Sequence, residues 1–140
     1  MFGTNEITNS LISDLEGIWS STRGSQNVCI AILDTDVDLE HPAFSDSLDR
    51  LHKVTIEGVE PSGNKAHGTY VASLIFGNND YSIAPNSKGL IIPVYQDTDE
   101  GKLGTSQELL AKAIDKAREH GANVINISCL LYTSPSPRDA

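Results

Sequence analysis

Val28-Cys29-Ile30-Ala31-Ile32-Leu33 runs without a polar side chain and stops on Asp34. A short unbroken apolar run of this kind is the mark of a strand buried on both faces of a parallel sheet. Two similar runs follow, Gly89 to Tyr95 and Val124 to Ile127. Helical patterns lie between and before them. Ile7 to Ser21 places Leu11, Ile12, Leu15 and Ile18 at helical spacing and ends at Gly24. His67 to Gly77 carries Val71, Ala72, Leu74, Ile75 and Phe76 with few charges, which predicts a helix buried nearly all round. Helices alternating with apolar strands predict an α/β domain: a largely parallel sheet with helices on both faces.

The third helix has its own signals. Thr105 followed by Glu108 reads as a capping box ahead of Leu109, Leu110, Ala113, Ile114 and Ala117, which share one face. Gly121 is the stop, and Lys116, Arg118 and His120 suit the negative end of the helix dipole. From Asp34 to Gly63 the chain is polar and punctuated by Pro42, Pro61 and Gly63. Loops are expected there, with a helical turn near Ser47 to Leu51 and a strand at Val54 to Ile56.

The chain has 140 residues, enough for one core, and its 39% hydrophobic and 21% charged residues fit a globular protein. A formal net charge of -9 argues against nucleic acid as a partner. No stretch is long and apolar enough to span a membrane, and Met1 to Ser10 lacks the layout of a secretion signal. Cys29 and Cys129 give no disulfide framework and no metal-ligand spacing, so Cys29 reads as a small core residue and a reducing cytoplasm as the location.

Asp34, at the carboxyl end of a buried parallel strand, stands where open α/β sheets place ligand-binding and catalytic groups. An Asp after a strand is more often only a turn residue. Further on, His67-Gly68-Thr69-Tyr70-Val71-Ala72 opens an apolar helix. An imidazole and a carboxylate able to hold its other ring nitrogen are the ingredients of an oriented general base. Gly68 is read as leaving room beside the imidazole for a substrate backbone.

Four stretches, in order, carry a resemblance: Ala31 to Asp38 with His41-Pro42, His67 to Ser73, Ile83-Ala84-Pro85, and Val124 to Ser128. In these the chain resembles the subtilisin-like serine proteases (peptidase S8), which carry Asp before His before Ser. Gly89 to Tyr95, the short loop from Phe76 to Pro85, and Ala122 to Ser128 are similar to the cyanobactin maturation proteases, which process ribosomal precursor peptides. The resemblance implies a serine endopeptidase with Asp34 orienting His67, no cofactor, and a peptide substrate. It also implies that Gly101-Lys102-Leu103-Gly104 is the edge that pairs with an extended peptide. Leu103 would line a specificity pocket, and Ser128 would start a substrate-lining strand. The alternative to that pairing edge is an ordinary loop before the third helix.

The chain departs from the pattern at Asp36, usually Gly, whose carboxylate is expected to make the surroundings of His67 more negative. Tyr70 stands where a second histidine is common. Ala43 and the short Asn78 to Ser82 loop argue against a strong calcium site. The nucleophilic serine has no counterpart before Ser128. Residues Cys129 to Asp139 agree one by one with a reading frame of a common transposase sequencing adapter, so residues 129–140 are read as non-native. Residues 1–128 are then the N-terminal part of a peptidase domain, inactive alone. The competing reading of the tail is a Pro-rich linker.

Rival functions explain less. Asp34-Thr35-Asp36 is also the spacing of paired aspartates in magnesium-dependent phosphotransferases, but that leaves His67-Gly68-Thr69 without a role. A Gly-rich phosphate loop is missing after the first strand. A noncatalytic peptide-binding relative is the serious alternative.

Overall fold

The computed structural model describes residues 14–78 and 82–128. The earlier part of the first predicted helix, including Leu11 and Ile12, and the adapter-like residues 129–140 lie outside the described residues. Helix α1 spans Leu15–Ser21. Strand β1, Cys29–Asp34, is followed by 3₁₀ turns at Pro42–Phe44 and Leu48–Arg50, strand β2 at Leu51–Lys53 and helix α2 at Ala66–Phe76. Strand β3, Lys88–Pro93, leads to the short strands β4, Gln96–Asp97, and β5, Leu103–Gly104. Helix α3, Gln107–Glu119, and strand β6, Val124–Ile127, complete the order.

The main sheet has the order β2-β3-β1-β6, all parallel. Its faces are separated by the alternation of side chains along each strand. Ala31 and Leu33 of β1, with Leu90 and Ile92 of β3, pack against Ala113 and Ala117 of α3. Ile32 and Ile91, one residue out of step, pack on the other face against Ala72 and Phe76 of α2. Helices therefore cover both faces, as the uninterrupted apolar runs require.

Three local expectations are corrected. Helix α2 buries one stripe, Gly68, Ala72 and Phe76, and leaves Tyr70 57% exposed, so it is not buried all round. The strand expected at Val54 to Ile56 lies earlier, at Leu51–Lys53. There Leu51 pairs with Gly89, whose missing side chain makes room for Leu51 and Phe76. The cap of α3 is Ser106, whose hydroxyl accepts from the Leu109 N–H at 3.1 Å. Ser106 has the extended backbone a cap needs, and it stands three residues before that amide.

The C-terminus of α3 ends as Gly121 predicted. Gly121 has φ of +86°, its N–H reaches the Arg118 carbonyl, and the Ala122 N–H reaches back to Ala117. This is the Schellman arrangement. Asn123 then clasps Cys29 twice. Its N–H donates to the Cys29 carbonyl at 2.8 Å, and its side-chain oxygen accepts from the Cys29 N–H at 2.8 Å. Cys29 is a free thiol of intermediate exposure, not the fully buried core residue expected. Burial raises its pKa, and the charge of Lys88 partly offsets that rise.

Candidate active site

Asp34 ends β1 with no exposed surface. Its carboxylate would be costly to bury alone and is held by donors. The Thr35 N–H donates to Oδ1 at 2.5 Å, and His67 Nδ1 lies 3.0 Å from Oδ1 and 2.9 Å from Oδ2. His67 sits in the first turn of α2 with its side chain 44% exposed. One end of the imidazole is thus anchored in the protein interior. With a proton on Nδ1, the other ring nitrogen is a free base.

The start of α2 is sewn to the loop after β1. Gly68 N–H donates to Thr35 Oγ1 at 2.8 Å, that hydroxyl donates to the Asp36 carbonyl at 3.0 Å, and Asp38 N–H donates to Thr69 Oγ1 at 2.9 Å. A Cβ on Gly68 would collide with the carbonyls of Thr35 and Asp36. Gly68 therefore serves the approach of helix to loop, correcting the expectation that it clears space for a substrate. Thr35 lies in a stretch that carries the resemblance, but the sequence gives no sign of its hydroxyl's role, because both of its partners are fixed by the folded loop.

Asp36 does not add free negative charge beside His67, as had been expected. Its carboxylate accepts from the Val37 N–H at 2.8 Å and is paired with Lys53 at 2.7 Å and, more loosely, Lys65 at 3.7 Å. Those lysines are distant in sequence from Asp36, so no spacing could announce the pairing.

The other predicted residues lie around the carboxyl ends of the strands. Ser128 is tied to β1 through its N–H, which donates to the Leu33 carbonyl at 3.1 Å, while its own carbonyl accepts the buried Tyr95 hydroxyl at 2.9 Å. Gly101 makes a turn at φ of +74°, and Leu103 and Gly104 form β5, antiparallel to β4. This is an ordered hairpin in place of a plain loop. Leu103 is only 7% exposed and packs into the core beside Ala113. Among the described residues no cluster of His, Cys, Asp or Glu is placed to hold a metal ion. No described helix is long and apolar enough to cross a membrane.

A family model of the subtilase family, peptidase S8, matches residues 25–135. The chain belongs to the subtilase family. Among solved structures, this subtilase chain is similar to the prenylagaramide maturation protease PagA, with 41% identity and a TM-score of 0.66 over 84% of this chain and 40% of that one. A mutant of the protease domain of PatA shows 36% identity and a TM-score of 0.65 over 78% of this chain and 40% of that one. A thermophilic serine proteinase from Bacillus sp. (strain AK1) is 32% identical over 79% of this chain and 28% of its own length. The nisin leader peptide-processing serine protease NisP of Lactococcus lactis subsp. lactis is 31% identical over 77% of this chain and 17% of its own. The subtilase chain thus spans two fifths or less of these relatives.

In this subtilase chain the Asp34–His67 pair joins a buried carboxylate to a part-exposed imidazole, and the β4–β5 hairpin is a separate sheet of two short strands with open edges. Such an edge offers backbone donors and acceptors to an extended chain.

Proposed function

We propose that this subtilase is the front part of a serine endopeptidase that processes a ribosomal precursor peptide, as the cyanobactin maturation proteases do. The observation that carries the reading is the hydrogen bonding of His67 Nδ1 to both oxygens of the buried Asp34. Support for the substrate class comes from the likeness to PagA and PatA and, more distantly, to a leader peptide-processing protease.

In this reading a serine hydroxyl supplied from outside residues 1–128 attacks the scissile carbonyl. His67 Nε2 takes the hydroxyl proton, the tetrahedral intermediate collapses, and the same nitrogen returns that proton to the leaving amine. Asp34 fixes the tautomer and offsets the positive charge of the imidazolium while it exists. The backbone of Gly101 to Gly104 pairs with the extended peptide, and Ser128 borders the same cleft. No cofactor takes part. The residues described here do not turn over substrate by themselves.

The test is to express the protein from a gene read past the codon for Ser128 and treat it with a fluorophosphonate and with candidate precursor peptides. Labelling of one serine and cleavage of a peptide, both lost in His67→Ala, is the expected result. Retention of full turnover by His67→Ala overturns the assignment of the base. Peptide binding with neither labelling nor cleavage favours a noncatalytic peptide-binding protein.

A further inference from the structure

The segment that delivers His67 to Asp34 is held by more than the loop after β1. Ser62 is 2% exposed and lies between the hairpin and the catalytic helix. Its N–H donates to the Tyr95 carbonyl at 2.9 Å, immediately before β4, and its hydroxyl donates to Asp97 Oδ1 at 2.5 Å, within β4. The same Ser62 oxygen accepts from the Asn64 N–H at 3.1 Å, and Asn64 Oδ1 accepts from the Ala66 N–H at 3.3 Å. Ala66 is the first residue of α2 and the neighbour of His67. Glu60 N–H adds a bond to the Gln96 side chain at 3.1 Å.

Three of these bonds run in one sense, from the Ala66 amide at the helix start through Asn64 and Ser62 to the carboxylate of Asp97. A carboxylate acceptor strengthens the Ser62 hydroxyl bond, and a hydroxyl so polarised is a better acceptor for the Asn64 N–H. Asp97 is also the residue that pairs with Leu103, so its backbone forms the hairpin while its side chain anchors the relay.

We propose that Asp97, Ser62 and Asn64 are positioning residues that couple the β4–β5 hairpin to the first turn of α2, so that the edge offered to a peptide and the imidazole of His67 move as one body. None of the three touches the reacting atoms. They act by fixing where α2 begins. The importance of this coupling for turnover rests on the protease reading above; the coupling itself does not.

Asp97 is exposed, so its truncation threatens folding least. Amide hydrogen exchange of the chain is measured for wild type, Asp97→Ala, Asp97→Asn and Ser62→Ala. In Asp97→Ala, exchange at Asn64, Ala66 and Gly68 is expected to speed up about three- to tenfold, the worth of one partly exposed hydrogen bond. Amides of Ile32 and Ile91 in the sheet stay as in wild type. Asp97→Asn, which still offers an oxygen to the Ser62 hydroxyl, restores the slow exchange. No change at residues 64–68, or an equal acceleration in β1 and β3, overturns the proposal. In a protein carrying its nucleophile, Asp97→Ala should lower kcat for peptides long enough to pair with the hairpin by about three- to tenfold. Local exchange that responds in a protein that cleaves nothing removes the protease reading and leaves the coupling standing. Robust cleavage with exchange and kcat both unmoved removes the coupling alone.

Discussion

His67 meets Asp34 with one ring nitrogen set almost evenly between the two carboxylate oxygens, at 3.0 and 2.9 Å, and the carboxylate has no other exposure to solvent. An Asn at position 34 keeps the shape but presents one oxygen and one NH₂ group, which favours the wrong imidazole tautomer. In a protein with its nucleophile, Asp34→Asn should lower kcat by roughly 10⁴ with little change in substrate binding. Steady-state kinetics on a precursor peptide checks this; a loss below about tenfold rejects the orienting role.

Gly68→Ala places a methyl group against the backbone carbonyls of Thr35 and Asp36, and neither can retreat without opening the junction between β1 and α2. The expected loss is about 1–3 kcal/mol, the usual cost of overpacking. Urea denaturation followed by circular dichroism measures it. A variant as stable as wild type would mean that the helix docks less tightly than described.

Lys53 and Asp36 form a pair in which the carboxylate side chain is 11% and the ammonium side chain 32% exposed. Removing only the cation strands a nearly buried negative charge, whereas removing both charges does not. Lys53→Met is therefore expected to cost about 1–2 kcal/mol, less than a fully buried pair because Lys53 is partly solvated and Lys65 remains nearby. Adding Asp36→Gly to that variant should recover part of the loss, and a double-mutant cycle in urea tests the sign. Further loss in the double variant refutes the pairing account.

At the start of α3 the two adjacent hydroxyls are predicted to differ. Ser106→Ala removes the oxygen that receives the Leu109 N–H and should cost about 1 kcal/mol, while Thr105→Ala should cost no more than a few tenths. Thermal unfolding of the two single variants compares them directly. The reverse ranking restores Thr105 as the cap.

That last contrast shows where reading the chain reached its limit. Strands β1 and β3 were legible because they have apolar side chains on both faces, whereas β6 carries Asn126 and leaves Val124 and Ile127 half-exposed; Gly121 was legible because a left-handed helix end leaves a residue-specific signature. Asp34 and His67 were legible because each is chemically distinctive and stands at the end of a strong element. Thr105 and Ser106 are equally good caps on paper; only the backbone angles separate them. Lys53, Lys65, Thr35 and Ser62 were invisible for another reason. Each belongs to the segment between β1 and α2, whose path to its partners is set by packing and not by any period. Leu103 was placed at a pocket through the family resemblance alone, and nothing in its spacing announces the core packing it makes beneath the hairpin.

The double clasp between Asn123 and Cys29 has a consequence for how this chain can vary in length. It lies at the far end of the sheet from Asp34, yet it fixes how many residues can separate Asn123 from Ser128. Because a strand turns over with every residue, a single insertion between Asn123 and Ser128 would invert the part of β6 that follows it and carry Ser128 away from its place beside β1. Insertions at the exposed turn of Glu57 and Gly58, past β2, carry no such penalty, since the segment is fastened again at Ser62 before His67 is reached. Descendants of this sequence should tolerate new length in the second region and almost none in the first.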